Sequence, residues 1–297
     1  MIRLENSKLT LEIDPRRGAE VTSFWMKTIG SAEVVLSSSP DKRMFGGVQI
    51  MLPWVNRVSG GGFTHNNRFY TLQPNTEGDP FPIHGSAFQQ EWTILHKKRD
   101  ALTLELVSET PAPFSYTARY HIQLEEHSLL LKLKVKNNAA FSFPFSLGFH
   151  PWFHRERSTT LTACCHSVWF EDEQHLPTFQ TKIEPGERFD FSQEKVIPDG
   201  WINNCMTGWD GVTTILYPDL RQKIVLETSG LPCLHLYSPG SQANFICVEP
   251  VTSIPNAANL LAPAEAGGAL VLEPSEEAAV SCRISPTVID QSPGKTT

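Results

Sequence analysis

Along most of this chain the side chains alternate. The run "LLLKLKVKN" at 129–137 sets Leu131, Leu133 and Val135 at one parity and Lys132, Lys134 and Lys136 at the other. A period of two marks a strand with one dry face and one wet face. The pattern recurs in "KLTLEID" (Leu9, Leu11, Ile13), "ALTLELV" (Leu102, Leu104, Leu106) and "AAVSCRIS" (Val280, Cys282, Ile284). Around "YPDL" at 217–220 a Pro-Asp turn separates "VTTIL" from "QKIVLET", which predicts a hairpin. A helical period never lasts beyond about three turns, and 22 prolines with 19 glycines interrupt the chain at short intervals. These features predict an all-β antiparallel sandwich or barrel rather than strands alternating with helices.

No shift in composition marks a linker within the 297 residues, so one β-rich domain over 1–285 is expected, with 286–297, ending "QSPGKTT", as a loose tail. The 40% hydrophobic and 19% charged content suits a globular chain with a substantial core. A net charge of -7 without a long basic run argues against nucleic acid or an anionic membrane as partner and favours a neutral or polar small ligand. The opening "MIRLENSKLTLEI" lacks the basic-then-apolar layout of a secretory leader, and no apolar run reaches about 18 residues, so a cytoplasmic location is expected. Six cysteines without short paired spacing read as reduced, mostly buried thiols. Cys164, Cys165 and His166 are consecutive, and neighbours in a strand cannot all face one ion, so no metal is expected there.

Four segments break the alternation with polar residues among aromatics and prolines. In "PWVNRVSGGGF" (53–63) no Lys-Ser/Thr follows the glycines and no helix begins, so a glycine-rich hairpin turn is expected and not a phosphate cradle. Arg57 beside it has donors for sugar hydroxyls or a carboxylate, or serves simply as a surface cation. In "PFPIHGSAFQQEW" (80–92) His84 precedes a glycine that allows another backbone or a ligand to come close, although a histidine taken alone is more often structural. In "WINNCMTGWDG" (201–211) Asp210 has the composition of a turn, while Trp209 beside it offers a ring face of the kind that covers a sugar's C–H groups. In "NFICVEPVTSIPNA" (244–257) an apolar strand, Phe245 to Val248, leads to Glu249, and Pro250 is expected to end its ladder. A carboxylate at the end of a buried strand is partly desolvated, which raises its pKa toward the range of a useful base. The run "SLGFHPWFH" (146–154) adds His150, which Pro151 and its aromatic neighbours would hold in an extended segment, and His154, read as structural.

Five of these pieces in this order, "NRVSGGGF", "IHGSAFQQEW", "LGFHPWF", "NNCMTGWDG" and "CVEPVTSIPNA", resemble the aldose 1-epimerase (mutarotase) family. The resemblance implies a large antiparallel β-supersandwich like that of galactose mutarotase. It implies Glu249 as the general base at the anomeric hydroxyl, His150 as the acid at the ring oxygen, His84 assisting there, and Arg57 and Asp210 holding hydroxyls. Trp209 would lie against the sugar beside Asp210. No cofactor or metal is implied, and the protein would act as a monomer or homodimer on a small sugar. "GFHPWF" differs from the longer asparagine-histidine pattern of galactose mutarotases and looks more like divergent branches, some of which act on sugar phosphates; Lys42, Arg43, Arg57 and Arg68 are the cations for a phosphate clamp. A neutral aldose is the preferred substrate. A non-catalytic sugar-binding module using Trp152, Trp209 and Asp210, and a glycoside hydrolase pairing Asp210 with Glu249, are the competing readings.

Overall fold

A computed structural model describes residues 1–28, 31–36, 47–260 and 267–289. The alternating segments become strands: Leu9–Asp14, Ala101–Ser108, Leu129–Asn137 and Glu277–Val288. Val212–Tyr217 and Gln222–Ser229 pair as the expected hairpin. Helix among the described residues is limited to single turns at Ala87–Gln89 and Ala257–Leu260, and none is long and apolar enough to cross a membrane. The final strand runs to Val288, beyond the expected boundary at 285, and the end of the expected loose tail, from 290, lies outside the described residues.

Among the described residues the strands form two large antiparallel sheets of eleven and nine strands and two small two-stranded sheets. The core lies between the large sheets. Ile50, Phe149 and Val248 from the first and Leu104, Leu131 and Ile284 from the second belong to one buried cluster, and Tyr120 meets Phe149 across it with ring centroids 6.2 Å apart. This arrangement is the expected all-β sandwich of antiparallel sheets.

Six neighbouring strands of the larger sheet position the site. They are β1 (Val48–Met51), β2 (Gly148–His154), β3 (Ser167–Glu171), β4 (Ile202–Thr207), β5 (Cys233–Ser238) and β6 (Phe245–Val251). Their lateral order is β1-β2-β6-β5-β4-β3. Both faces of the central strands are covered, so β2, β4 and β6 have no wet side: nearly every residue in them is buried, including the polar Asn203 and Asn204 of β4. One parity (Phe149, Phe153, Leu234, Leu236, Ile246, Val248) enters the core between the sheets. The other parity carries His150, Trp152, Asn203, His235, Tyr237, Cys247 and Glu249 to the opposite face.

Pro250 does not end its strand. β6 continues through it to Val251, with Pro250 opposite Leu234. What the prolines interrupt is the ladder between β2 and β6. Pairing is registered at Gly148↔Val251 and resumes at Trp152↔Cys247, and the gap holds Pro151 and Pro250, neither of which has an N–H to donate. The glycines 60–62 also differ from expectation. They turn the chain into the short strand Gly62–His65, while the hairpin it forms with Arg68–Thr71 closes at Asn66 and Asn67, both left-handed with φ of 49° and 58°.

Candidate functional site

Register on either side of the gap sets His150 opposite Glu249, and Glu249 is in turn opposite His235 on β5. Laterally paired residues share a face, so His150, Glu249 and His235 form one row across β2, β6 and β5. Two residues along each strand, Trp152, Cys247, Tyr237 and Asn203 form the next row. His150 and Glu249 from the first row and Trp152, Tyr237 and Asn203 from the second floor a pocket of about 160 Å³. That volume is below the roughly 300–1,000 Å³ typical of pockets for drug-sized ligands.

Loops 53–63 and 80–92 roof the pocket. They are joined by bridges between Leu52 and Gly85 and between Arg57 and Ile83. Gly85 has φ +75°, and a Cβ there would stand 1.9 Å from the Leu52 carbonyl oxygen, so the close approach expected of this glycine is made by the backbone of residue 52. His84 is itself left-handed, with φ +59°. The Asn56 N–H donates to His84 Nδ1 at 3.2 Å, so the ring proton of neutral His84 sits on Nε2. Burial, then the neighbouring His150, Arg57 and His235, holds its pKa well below the ordinary value. His84 is thus a neutral hydrogen-bond donor, and protonating its Nδ1 would break the bond to the Asn56 amide.

His150 Nε2 lies 3.4 Å from Glu249 Oε1, with side chains 8% and 2% exposed. The His150 ring is stacked on Trp152, with centroids 5.3 Å apart and planes at 13°, and meets His84 edge-on at 5.1 Å. Burial lowers the His150 pKa to about 4, slightly countered by its own backbone. Burial raises that of Glu249 well above the usual carboxylate value, with Arg57 pulling the other way. Burial pushes both groups toward their uncharged forms, in which the pair holds one titratable proton. The charged arrangement, carboxylate with imidazolium, contains the same number of protons and differs only in where one of them sits.

Arg57 lines the pocket, but its Nη2 and Nε stand 2.8 and 3.0 Å from Asp79 Oδ2. The bland and functional readings of this arginine therefore combine: it is a partly buried, paired cation at the edge of the site. Asp210 and Trp209 are not brought to this pocket. They border a separate cleft with Gly211, Thr228 and Pro232, where Asp210 Oδ1 accepts from the Val212 N–H at 3.0 Å and the Trp209 indole donates to the Val212 carbonyl at 2.9 Å. The turn composition of "WDG" decided their place, and the roles implied for them at the sugar are corrected. The proposed pairing of Asp210 with Glu249 is likewise not assembled. Arg68 borders another cleft, over the Tyr70 ring at 5.2 Å, and Lys42 and Arg43 lie outside the described residues. His154 is partly exposed beside Glu156 and lines no part of the pocket.

In place of Asp210 and Trp209 the pocket takes Asn203, Tyr237, His175 and Trp201. Asn203 and Tyr237, like His235 in the row beside them, sit inside strands, "INNCMT" and "CLHLYS". In "CLHLYS" the signal is a polar or aromatic residue at every second position between leucines bound for the core, whereas in "INNCMT" two consecutive asparagines blur it. His150, Cys247 and Glu249 also place donor atoms within 4.8 Å of one another, a spacing that a thiophilic cation would accept. Burial and the neighbouring Glu249 push the Cys247 thiol well up, which opposes the thiolate a metal needs, so the trio favours proton chemistry.

Comparison with known proteins agrees with the fold. The model of the aldose 1-epimerase family matches residues 1–285. The chain is 29% identical over 262 residues to the uncharacterized Escherichia coli K12 protein YphB, covering 85% of this chain and 88% of that one. It superposes on a candidate aldose 1-epimerase of E. coli K12 with a TM-score of 0.87 at 27% identity, over 97% of this chain and 98% of the other. The fold is also shared with a galactose 1-epimerase from Lactobacillus acidophilus, with a TM-score of 0.75 at 17% identity over 97% and 94% of the two chains. With the family model matching residues 1–285, the chain belongs to the aldose 1-epimerase family.

Proposed function

We propose that the protein interconverts the α and β anomers of a free, neutral aldose, with Glu249 and His150 moving the two protons that ring opening requires. The observation that carries this reading is the buried contact of 3.4 Å between His150 Nε2 and Glu249 Oε1. Opening a hemiacetal removes a proton from O1 and delivers one to O5, and both oxygens are bonded to C1. A base and an acid must therefore act side by side, which is the arrangement that the gap between β2 and β6 supports.

Glu249, as carboxylate, takes the O1 proton. The O1–H electrons left behind form the C1=O1 double bond, the C1–O5 bond breaks with its electrons going to O5, and O5 takes the proton of the His150 imidazolium. Rotation about C1–C2 presents the other carbonyl face, and closure runs the transfers backward to the opposite anomer. Opening starts from the minor ion-pair form and returns the neutral pair that burial favours, so the cost of forming the ion pair is recovered in that step. His84, with its proton on Nε2, donates a hydrogen bond without changing protonation state. The pairing of Arg57 with Asp79 supports a neutral substrate over a phosphorylated one, because the cation lining the pocket already has its counter-charge.

The experiment is an NMR anomer-exchange screen over free aldoses and their 6-phosphates. Exchange accelerated for one or more free aldoses, with their 6-phosphates slower, is the expected result. Acceleration confined to 6-phosphates would replace the substrate class, and sugar binding without any acceleration would favour a binding module.

A further inference from the structure

One carboxylate outside the pocket holds three of the residues that line it. The Trp201 indole donates to Glu171 Oε1 at 2.6 Å, and the Asn203 amide donates to Glu171 Oε2. His175 Nδ1 stands 3.2 Å from Glu171 Oε1 without the alignment of a hydrogen bond, and its ring stacks on Trp201 at 4.9 Å. His175, left-handed at φ +62°, sits in the turn between β3 and the following strand, where Asp172 accepts from the N–H groups of Gln174 and Leu176.

The network continues inward. A carboxylate only accepts, so Asn203 must turn its NH₂ toward Glu171 and its Oδ1 the other way. There Oδ1 lies 2.9 Å from His235 Nε2, in a fully buried contact. His235 must then carry its proton on Nε2 and leave Nδ1 bare, and His235 Nδ1 is a buried nitrogen without a partner. Burial, then His150 and Arg57, keeps this ring neutral, with its pKa lowered to about 3. His235 stands opposite Glu249 in the register.

We propose that Glu171 is a positioning residue: through Asn203 it fixes the tautomer of His235 beside the general base, and through Trp201 and His175 it holds the aromatic rim that receives the part of the sugar away from C1. The lateral order of strands gives the reason. Glu249 is on β6, and β5 and β4 separate it from Glu171 on β3, about 4.8 Å per strand. A sugar with C1 at His150 and Glu249 extends across Tyr237 toward Asn203 and the Trp201–His175 stack. Asn203 keeps one N–H and one lone pair free for a hydroxyl, and the Trp201 ring, half exposed, offers a face to the sugar's C–H groups.

This role rests on the mutarotase reading, but its test does not depend on it. Long-range ¹H–¹⁵N NMR of the His235 ring in the wild-type protein should show the proton on Nε2; a proton on Nδ1 overturns the proposal without reference to activity. In Glu171→Ala both acceptors are gone, Asn203 is free to rotate, and His235 should become a mixture of tautomers. For the aldose that the screen identifies, KM should rise about tenfold or more while kcat stays within about threefold. If the protein accelerates no aldose, the dissociation constant for the sugar it binds replaces KM. Glu171→Gln, which keeps one acceptor and the packing, should fold like the wild type and lie between the two. A pure Nε2–H tautomer in Glu171→Ala, an unchanged KM, or a loss confined to kcat would each contradict the role.

Discussion

At the scale of single residues, the account turns on a proton shared by two buried groups. His150 is lowered to about 4 and Glu249 is raised, both chiefly by burial, so the active one-proton pair exists between two apparent pKa values that belong to the pair. Below about pH 4 a second proton binds and the base is lost; above the raised value the shared proton leaves and the acid is lost. The profile of kcat/KM against pH should therefore rise through about pH 4, stay flat across pH 5–6, and fall only at a pH well above the usual carboxylate range. An acid limb at 6 or above would contradict the pair. Of these residues, His84, His150, Glu249 and Arg57 were legible because each stands in a segment where alternation breaks. Asp210 was misplaced because "WDG" has both the composition of a turn and an aromatic beside a carboxylate, and nothing local says which cleft the turn borders. His235 and Asn203 were missed for the opposite reason: their strands look like ordinary buried strands, and only the register across the sheet gathers their alternate side chains into one row.

At the scale of elements, the period of two located the strands well, and the departures from it came from backbone chemistry that one strand cannot reveal. Pro250 looks like a strand end in isolation. In the sheet it faces Leu234 across an intact pairing with β5 and has its missing donor at the gap beside β2. That gap is where the proton pair lies. The roof is set by Gly85, whose contact with Leu52 leaves no room for a side chain. Gly85→Ala adds a clash with a backbone oxygen to a left-handed φ, and should destabilise the protein by roughly 2–4 kcal/mol while displacing His84 from the pocket. Urea denaturation and KM measure the two effects. A variant of wild-type stability would show that the Leu52–Gly85 bridge does not hold the roof.

At the scale of the whole molecule, the sandwich buries His84, His150 and His235 in their neutral forms. Their folded pKa values lie below the unfolded value near 6.5, so the unfolded chain takes up protons first as the pH falls, and stability is lost below about 6.5. Glu249 acts in the opposite sense: its folded pKa is raised, so its contribution is lost as the pH rises from about 4.5 to that value. Three histidines against one carboxyl leave a net slope of roughly 2–3 kcal/mol per pH unit between pH 6 and 5. Denaturant titrations at those two pH values should show the loss, and equal stabilities would mean that the histidines are not buried neutral. The all-β architecture followed from composition and period, since 22 prolines and 19 glycines leave little room for helices. Which face of the larger sheet carries the chemistry did not follow, because the central strands are buried at both parities and only the register gathers their scattered polar residues on one face.

The central claim is that Glu249 and His150 together open the sugar ring. Magnetisation exchange between the two anomeric protons of the accepted aldose tests it directly, in the wild-type protein and in Glu249→Gln and His150→Asn, each checked for an intact fold. The account expects exchange to fall by about 10²–10⁴-fold in each variant, with the double variant little worse than either, because the two groups act as one unit. Exchange at the wild-type rate in either variant would contradict it.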